Sequence, residues 1–371
     1  MKVKLKRLTK PVYAGMFLLI IKTVFFYSTV VPYTQLIDNI LQFSAVACFL
    51  YSILRQGYSK KTLFIYAVVT LIALYSCYVV GEWGMLISVT TILAIRRENI
   101  NKVIDFIYCY ELIFVVLNVL ISLIMFLFGR SITSTYYGKT VLTLGFVHRN
   151  ALSCFLFNLM LMWLWKNYKR INAKMIAVLF GIVVLLYICI KTKTTAIIMF
   201  FILTIIMVNR HSKNYSRLLG IAAAVIVPIF TVSFYWLVSH YGNTISLIID
   251  KLLTYRLQQN AYIFNRYGLS LFGQAITDLS VQWDSIWQLN GRLTFDCLYT
   301  YLLISRGIVW IVGISFIFVL FAKKKNNKVN VFIVAWAMYG IAEMGGINCF
   351  QCFPILLSAA LFDHKFKEII D

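Results

Sequence analysis

A chain of 371 residues could hold two or more soluble domains, but its composition excludes them. It is 61% hydrophobic and 13% charged, with a mean hydropathy of +0.83, against roughly 45–50% apolar and about 25% charged residues in soluble domains. The apolar excess runs the whole length without a polar boundary, so residues 1–371 read as one all-α, polytopic membrane domain. The net charge of +22, from 35 Lys and Arg against 13 Asp and Glu, invites a nucleic-acid partner. Basic residues are also recruited to the cytoplasmic loops of membrane proteins, so their placement decides.

The basic start MKVKLKRLTK is followed by an apolar run over 11–31. That run is too long for a signal peptide, Lys22 interrupts it, and no small-residue cleavage site follows. It reads as a retained first span with a cytoplasmic N-terminus. Further runs lie at 36–54, 62–80, 83–95, 103–128, 150–165, 174–190, 194–208, 218–239, 296–322, 329–346 and 350–362. A crossing needs about 20 apolar residues, so this gives about twelve transmembrane helices, with the runs at 83–95, 194–208 and 350–362 short enough to be tilted or re-entrant.

Alternating the spans puts 24 of the 35 basic residues inside, among them Lys10, Arg55, Arg96, Arg97, Lys166, Arg210 and Lys323. Every inside connection is then basic, as the positive-inside rule requires. Topology accounts for the charge, and no nucleic acid is needed. The outer connections are short except for 129–149 and 240–295, and a loop of that second length is usually functional. The eight cysteines sit mostly in apolar runs, where Cys packs as a small hydrophobe. Cys349 and Cys352 alone have CxxC spacing, which without a second pair is a poor zinc site. Walker, GxGxxG, HExxH and DxD motifs are absent, so neither cofactor nor metal is expected.

Nine basic residues face outward under this topology, including Arg130, Lys139, Arg149, Lys191, Lys193, Arg256, Arg266 and Arg292. Outer acids are few, so this face suits an anionic ligand, and the planar fork of Arg suits phosphate. In the long loop, IIDKLLTYRLQQNAYIFNRYG reads as one amphipathic helix with Ile249, Leu253, Leu257 and Phe264 on its apolar stripe. Such a helix lies along the interface, its apolar face to lipid or to the spans. Arg256 and Arg266 are about 80° apart on its wheel and flank one groove. LFGQ at 271–274 ends the helix, and NGRLTFD brings Arg292 and Asp296 to the mouth of the next span. The second candidate is LGFVHRNALS at a membrane mouth, with His148, Arg149 and Asn150. His148 has a pKa suited to carrying a proton, although a lone interfacial His is more often an anchor. Lys191 and Lys193, in CIKTKTTA, mark a hairpin tip or simply snorkel to water.

GFVHRN resembles the GF-x-H-P-N stretch of the O-antigen polymerase and O-antigen ligase superfamily, with Arg149 where Pro is usual. YR at 255–256 followed by LFGQ is similar to that family's long outer loop. DCLYTYLLISRGIVW resembles its D-N-x-Y…G element with Cys297 in place of Asn, and KTKTTA a degraded T-x-S-R hairpin. The resemblance implies a GT-C-like fold and an enzyme that joins polyprenyl-diphosphate-linked oligosaccharides into a surface polysaccharide at the outer face of a bacterial cytoplasmic membrane. It implies that Arg256 recognises diphosphate, supported by Arg292, Arg266, Arg149, Lys193 and Asn150, with His148 and Asp296 nearer the reacting hydroxyl. A flippase and a chain-length regulator are the implied protein partners, alongside membrane lipids. Three other readings stay open. A ligase of the same superfamily usually carries a loop His, and here only His240 starts the loop. A membrane O-acyltransferase would set its His within a span. A flippase or transporter would show internal repeats and ionisable residues deep in the spans, where only Lys22, Asp105, Glu111 and Arg306 qualify.

Overall fold

A computed structural model describes residues 10–136, 139–211, 213–253, 255–277, 279–284, 287, 289–341 and 343–362. The described residues are predominantly helical. Its elements are α1 (Pro11–Phe26), α2 (Gln35–Leu54), α3 (Lys60–Val80), α4 (Gly84–Ala94), α5 (Ile100–Leu127), a hairpin β1–β2 (Thr133–Tyr136, Lys139–Leu142), α6 (Arg149–Asn167), α7 (Ala173–Ile190), α8 (Lys193–His211) and α9 (Lys213–Ser239). Then follow α10 (Thr244–Leu252), α11 (Arg256–Tyr267), a hairpin β3–β4 (Ser280–Asp284, Leu289–Arg292), α12 (Leu298–Tyr301), α13 (Ile308–Lys323), α14 (Asn327–Tyr339) and two 3₁₀ stretches, Met344–Ile347 and Phe353–Phe362. Among the described residues, five helices are long and apolar enough to cross a membrane, as a multi-pass membrane protein requires. Pro11 starts α1, where its missing N–H costs nothing. Thr34, Asn99, Asn172, Asn243 and Asn326 cap later helices by accepting from their first-turn amides.

The chain forms two compact units, one of residues 1–64, 87–211 and 348–371, the other of 65–86 and 212–347. In the first unit the connections sort by end. Lys10 Nζ meets Glu98 at 3.1 Å, Arg97 donates to the Gly57 carbonyl at 2.7 Å, Gln56 to that of Ala94 at 2.8 Å, and Trp165 to Asn101 at 2.8 Å. These are the basic connections that alternation of the spans puts on one side. At the other end, the Val147 amide donates to the Tyr27 carbonyl, Thr29 to Gly145, and Lys191 Nζ to Thr140. Gly15 lies where a Cβ would be 2.7 Å from the Phe49 ring, so a small residue lets α1 and α2 pack closely. Lys22 is not alone in its helix: Nζ is 2.9 Å from Asp38. Cys349 and Cys352 are buried free thiols.

The second unit packs α9 against α13 and α14. Tyr299 donates to the Ala337 carbonyl at 2.6 Å and stacks on Phe234.

Several expected boundaries move. The 296–322 run is not one helix. After Tyr301 the turn widens over Leu302–Arg306, the Gly307 amide donating to Leu302 at 2.7 Å, and Gly307 at φ +102 breaks the path before α13. The 329–346 run stops as a helix at Tyr339, which leaves Glu343 in the following connection. The 350–362 run is a 3₁₀ stretch over Phe353–Phe362, not an α-helix.

Candidate functional site

The amphipathic segment of the long loop is two helices rather than one, because Tyr255 takes a left-handed φ of +61 that no helix continues. Tyr255 gives α11 no side-chain cap. Asp250, in α10, does so instead. Its carboxylate, 2% exposed, accepts from the Leu257 amide at 2.8 Å, the Gln258 amide at 3.2 Å and the Tyr241 hydroxyl at 2.7 Å. A negative charge there also suits the positive end of the helix dipole. Asp250, in sequence a lone acid, thus builds the start of the helix whose first residue is Arg256.

Arg256 is held from three directions. Asn260 donates to its carbonyl at 2.8 Å and accepts from Thr300 at 3.0 Å, tying α11 to α12. Its Nε lies 3.5 Å from Asp296 Oδ2, and its Nη1 lies 3.9 Å from Glu343 Oε1. The side chains of Arg256, Asp296 and Glu343 are 18%, 28% and 15% exposed, so the cluster is sheltered yet reachable. Burial is the largest influence on the Glu343 carboxyl and pushes it up to about 8; the Arg256 charge comes next and pulls it down, and the Asp296 charge adds a smaller push upward.

Next along the chain, LFGQ docks on the broken helix. Widening and breaking the turn at 302–307 strands carbonyls that a continuous helix would satisfy. The loop supplies their partners: the Ser270 amide donates to Leu303, Gln274 to Ser305, and the Gln274 side chain to Ile304. In return the Ile308 and Val309 amides donate to Ser270 and Leu271. The approach demands glycine on both sides. A Cβ on Gly273, at φ +111, would lie 2.9 Å from the Ser305 carbonyl, and one on Gly307 would lie 2.6 Å from the Gly273 nitrogen.

Arg306, itself 2% exposed, ties the buried Tyr301 to the exposed Glu82. Its Nε donates to the Tyr301 hydroxyl at 2.7 Å, that hydroxyl donates to Glu82 at 2.8 Å, and Nη2 pairs with the same carboxylate. Each polar group of this cluster has a partner, as a buried charge must.

The structure brings Asp296 to Arg256 and adds Glu343. It does not bring Arg266, which sits ten residues along the same helix, roughly 15 Å up its axis, with its guanidinium over the Tyr267 ring. Arg266 therefore cannot share one phosphate with Arg256. The Arg292 backbone ends β4, and its side chain lies outside the described residues, as does Asp278. His148, Arg149, Asn150 and Lys193 belong to the first unit. His148 Nδ1 accepts from the Ala151 amide at 3.0 Å and caps α6. A ring acceptor engaged in this way leaves the neutral imidazole's proton on Nε2, which works against a general-base role. Arg149 donates to the Lys191 carbonyl at 3.3 Å, Asn150 lies in the first turn of α6, and Lys193 is exposed at the start of α8.

Glu343 was obscured in sequence by the apolar run that encloses it; the Gly345–Gly346 pair just beyond was the available sign that the helix had ended. Compared with protein-family models, curated proteins and solved structures, the chain matches none.

Proposed function

We propose that this protein is a metal-independent membrane glycosyltransferase that joins polyprenyl-diphosphate-linked oligosaccharide units into a surface polysaccharide. In this reading the chain has twelve spans in a GT-C-like arrangement, with both termini cytoplasmic and residues 240–295 at the outer face. The observation that carries it is the Arg256–Asp296 pair at 3.5 Å, because it joins two segments that resemble the superfamily separately in sequence. The LFGQ turn against Gly307 joins the same two segments a second time and supports the same reading.

The chemistry assigned to the site is electrostatic. Arg256 takes a diphosphate oxygen pair with its fork and stabilises the charge that develops as the lipid diphosphate leaves. Asp296 engages Nε and so orients the guanidinium plane. Asp250 and Asn260 hold the backbone of Arg256 still, which keeps the donors preorganised.

Purified protein given lipid-linked repeat units is expected to make polymer. Arg256→Ala should leave single units intact and make none. Arg256→Lys should rescue poorly, since an ammonium lacks the bidentate fork. Polymer of normal length from well-expressed Arg256→Ala would overturn the assignment.

One observation favours transport instead. Glu111 is buried mid-helix in α5, accepting from Asn158 at 2.9 Å, and intramembrane ionisable residues often mark a substrate path. Under that reading Glu111→Gln stops movement of a lipid-linked substrate and the pure protein makes no polymer. Under ours the variant polymerises normally.

A further inference from the structure

Away from the Arg256 cluster, three aromatic rings and two amides gather on the other side of α11. Tyr241 stacks on Trp287, with ring centroids 5.6 Å apart and planes 24° off parallel. Tyr262 meets the same indole at 5.8 Å and 87°. All three rings are half-buried. Hydrogen bonds pin two of them: the Tyr241 hydroxyl donates to Asp250 at 2.7 Å, the Trp287 amide to Asp284 Oδ1 at 3.0 Å, and Gln258 Nε2 to the Trp287 carbonyl. Tyr262 stands four residues after Gln258, so the two share one face of α11. The turn between β3 and β4 is thus fastened to the helix with its indole held by two tyrosines.

Packing of the hairpin accounts for the rings but not for the polar groups beside them. Gln258 spends only its Nε2, on Trp287, and Gln259 only its Oε1, which accepts from the Thr294 amide at 3.1 Å. Among the described residues, Gln258 Oε1, Gln259 Nε2, the Tyr262 hydroxyl and Trp287 Nε1 make no hydrogen bond. Two donors, one acceptor and one hydroxyl that does both therefore border the rings, and no cation belongs to the set.

We propose that this platform is a saccharide subsite, in which the open parts of the rings take the C–H face of a sugar and the four unspent groups take its hydroxyls. A sugar ring has an apolar face and a rim of groups that donate and accept. Half-buried Tyr and Trp offer rigid apolar area with a polar handle, and a pair of amides supplies both senses of hydrogen bond. A lipid tail laid here would leave the polar groups unpaired, at a cost, and a diphosphate would find no positive charge.

The inference rests on the polymerase reading and narrows its substrate. At about 100° per residue, Gln258 and Tyr262 lie more than a quarter turn round α11 from Arg256, with Gln259 between, on a helix about 10–12 Å across. A sugar joined directly to a diphosphate on Arg256 does not reach the platform. A sugar further along the same oligosaccharide does. The subsite thus reads the part of the repeat unit remote from the bond that breaks, and holds it by contacts that reaction leaves unchanged.

The test uses the full chain in nanodiscs. Its probe is the free oligosaccharide released by mild acid from the lipid-linked repeat units, which carries neither diphosphate nor prenyl tail. Titration by saturation-transfer NMR gives its affinity, and polymerisation of the intact lipid-linked units is followed alongside. Wild type should bind the probe, and so should Arg256→Ala, which makes no polymer. Tyr262→Phe removes one oxygen and no existing hydrogen bond, so it should keep the wild-type melting midpoint. It should weaken probe binding about three- to tenfold, the worth of one hydrogen bond, and raise KM by a like factor with kcat little changed. Trp287→Phe, which keeps a ring and loses the Nε1 donor, should do the same. If it melts earlier, Tyr262→Phe decides alone. A wild type that polymerises but does not bind the probe, or a Tyr262→Phe variant that binds it as tightly as wild type, overturns the subsite and leaves the polymerase reading standing. No polymer from the wild type overturns that reading and this inference with it.

Discussion

Replacing Gly307 with Ala tests the docking of LFGQ on the broken helix. Gly307 has φ +102 and ψ 149, close to a region that is essentially open to glycine alone, where strain costs about 1–3 kcal/mol. The added Cβ would also lie 2.5 Å from the Leu271 carbonyl and 2.6 Å from the Gly273 nitrogen. Both are backbone atoms, so no side-chain rotation relieves the clash and the loop must move. Its movement endangers the bonds Ser270 to Leu303, Gln274 to Ser305, Ile308 to Ser270 and Val309 to Leu271, each contributing roughly 0.5–1.5 kcal/mol. Loss of half of them with the strain gives on the order of 2–6 kcal/mol, a large part of a typical stability of about 5–15 kcal/mol. Gly313, in the helix that follows, is the control. A Cβ there meets nothing within 4 Å, and Gly to Ala inside a helix stabilises by roughly 0.5–1 kcal/mol. Thermal unfolding in detergent should therefore show opposite shifts, down by several degrees for Gly307→Ala and slightly up for Gly313→Ala. Limited proteolysis should cut within 268–277 only in the first. A Gly307→Ala protein with the wild-type midpoint and an uncut loop would refute the packing argument.

Asp250→Ala removes the acceptor of two α11 amides and the Tyr241 hydroxyl; it should cost about 2–4 kcal/mol in the unfolding midpoint, and Asp250→Asn clearly less. Polymerisation should proceed in EDTA, because Asp296 and Glu343 flank a guanidinium rather than an open cation site; activity lost in EDTA and restored by Mg²⁺ would shift attention to these acids. Cysteines introduced at Ser280 and Ser59 should label from outside and inside the cell respectively, and the reverse pattern would invert the proposed topology.

Sequence hydropathy placed most helices of the first unit to within a few residues, four of them started by the caps Thr34, Asn99, His148 and Asn172. It failed where backbone geometry, not composition, decides. LLISRGIVW is apolar enough for one helix, and only the pairing of Gly307 with a distant Gly273 turns it into a break. TYRLQQ keeps helical periodicity through Tyr255, yet the buried Asp250 carboxylate, five residues upstream, captures the Leu257 and Gln258 amides and starts a new helix there. The candidate site was legible as to Arg256 and Asp296, which stand at segment boundaries. Glu343 was not, since an acid inside an apolar run gives no sign of which side chain it will face.

The distribution of polarity explains why the site can exist in so apolar a chain. Along α5, Leu112, Ile113, Val116, Leu120 and Ile124 are exposed while Glu111, Asn118 and Ser122 are buried on one stripe. The same inversion recurs in α10, which exposes Ile245, Ile248 and Leu252 and buries Ser246 and Asp250. In water such an arrangement would be destabilising, since exposed apolar area has no compensation. Against lipid the apolar face costs nothing, and the polar groups must then find partners inside the protein. Asn158 for Glu111, Gly145 for Asn118, and the Leu257 amide for Asp250 are those partners. A chain that turns its polar groups inward for this reason already holds carboxylates and amides at fixed, sheltered positions. Arg256, Asp296 and Glu343 keep 18%, 28% and 15% of their side chains exposed, so a charged ligand can reach this sheltered cluster from solvent.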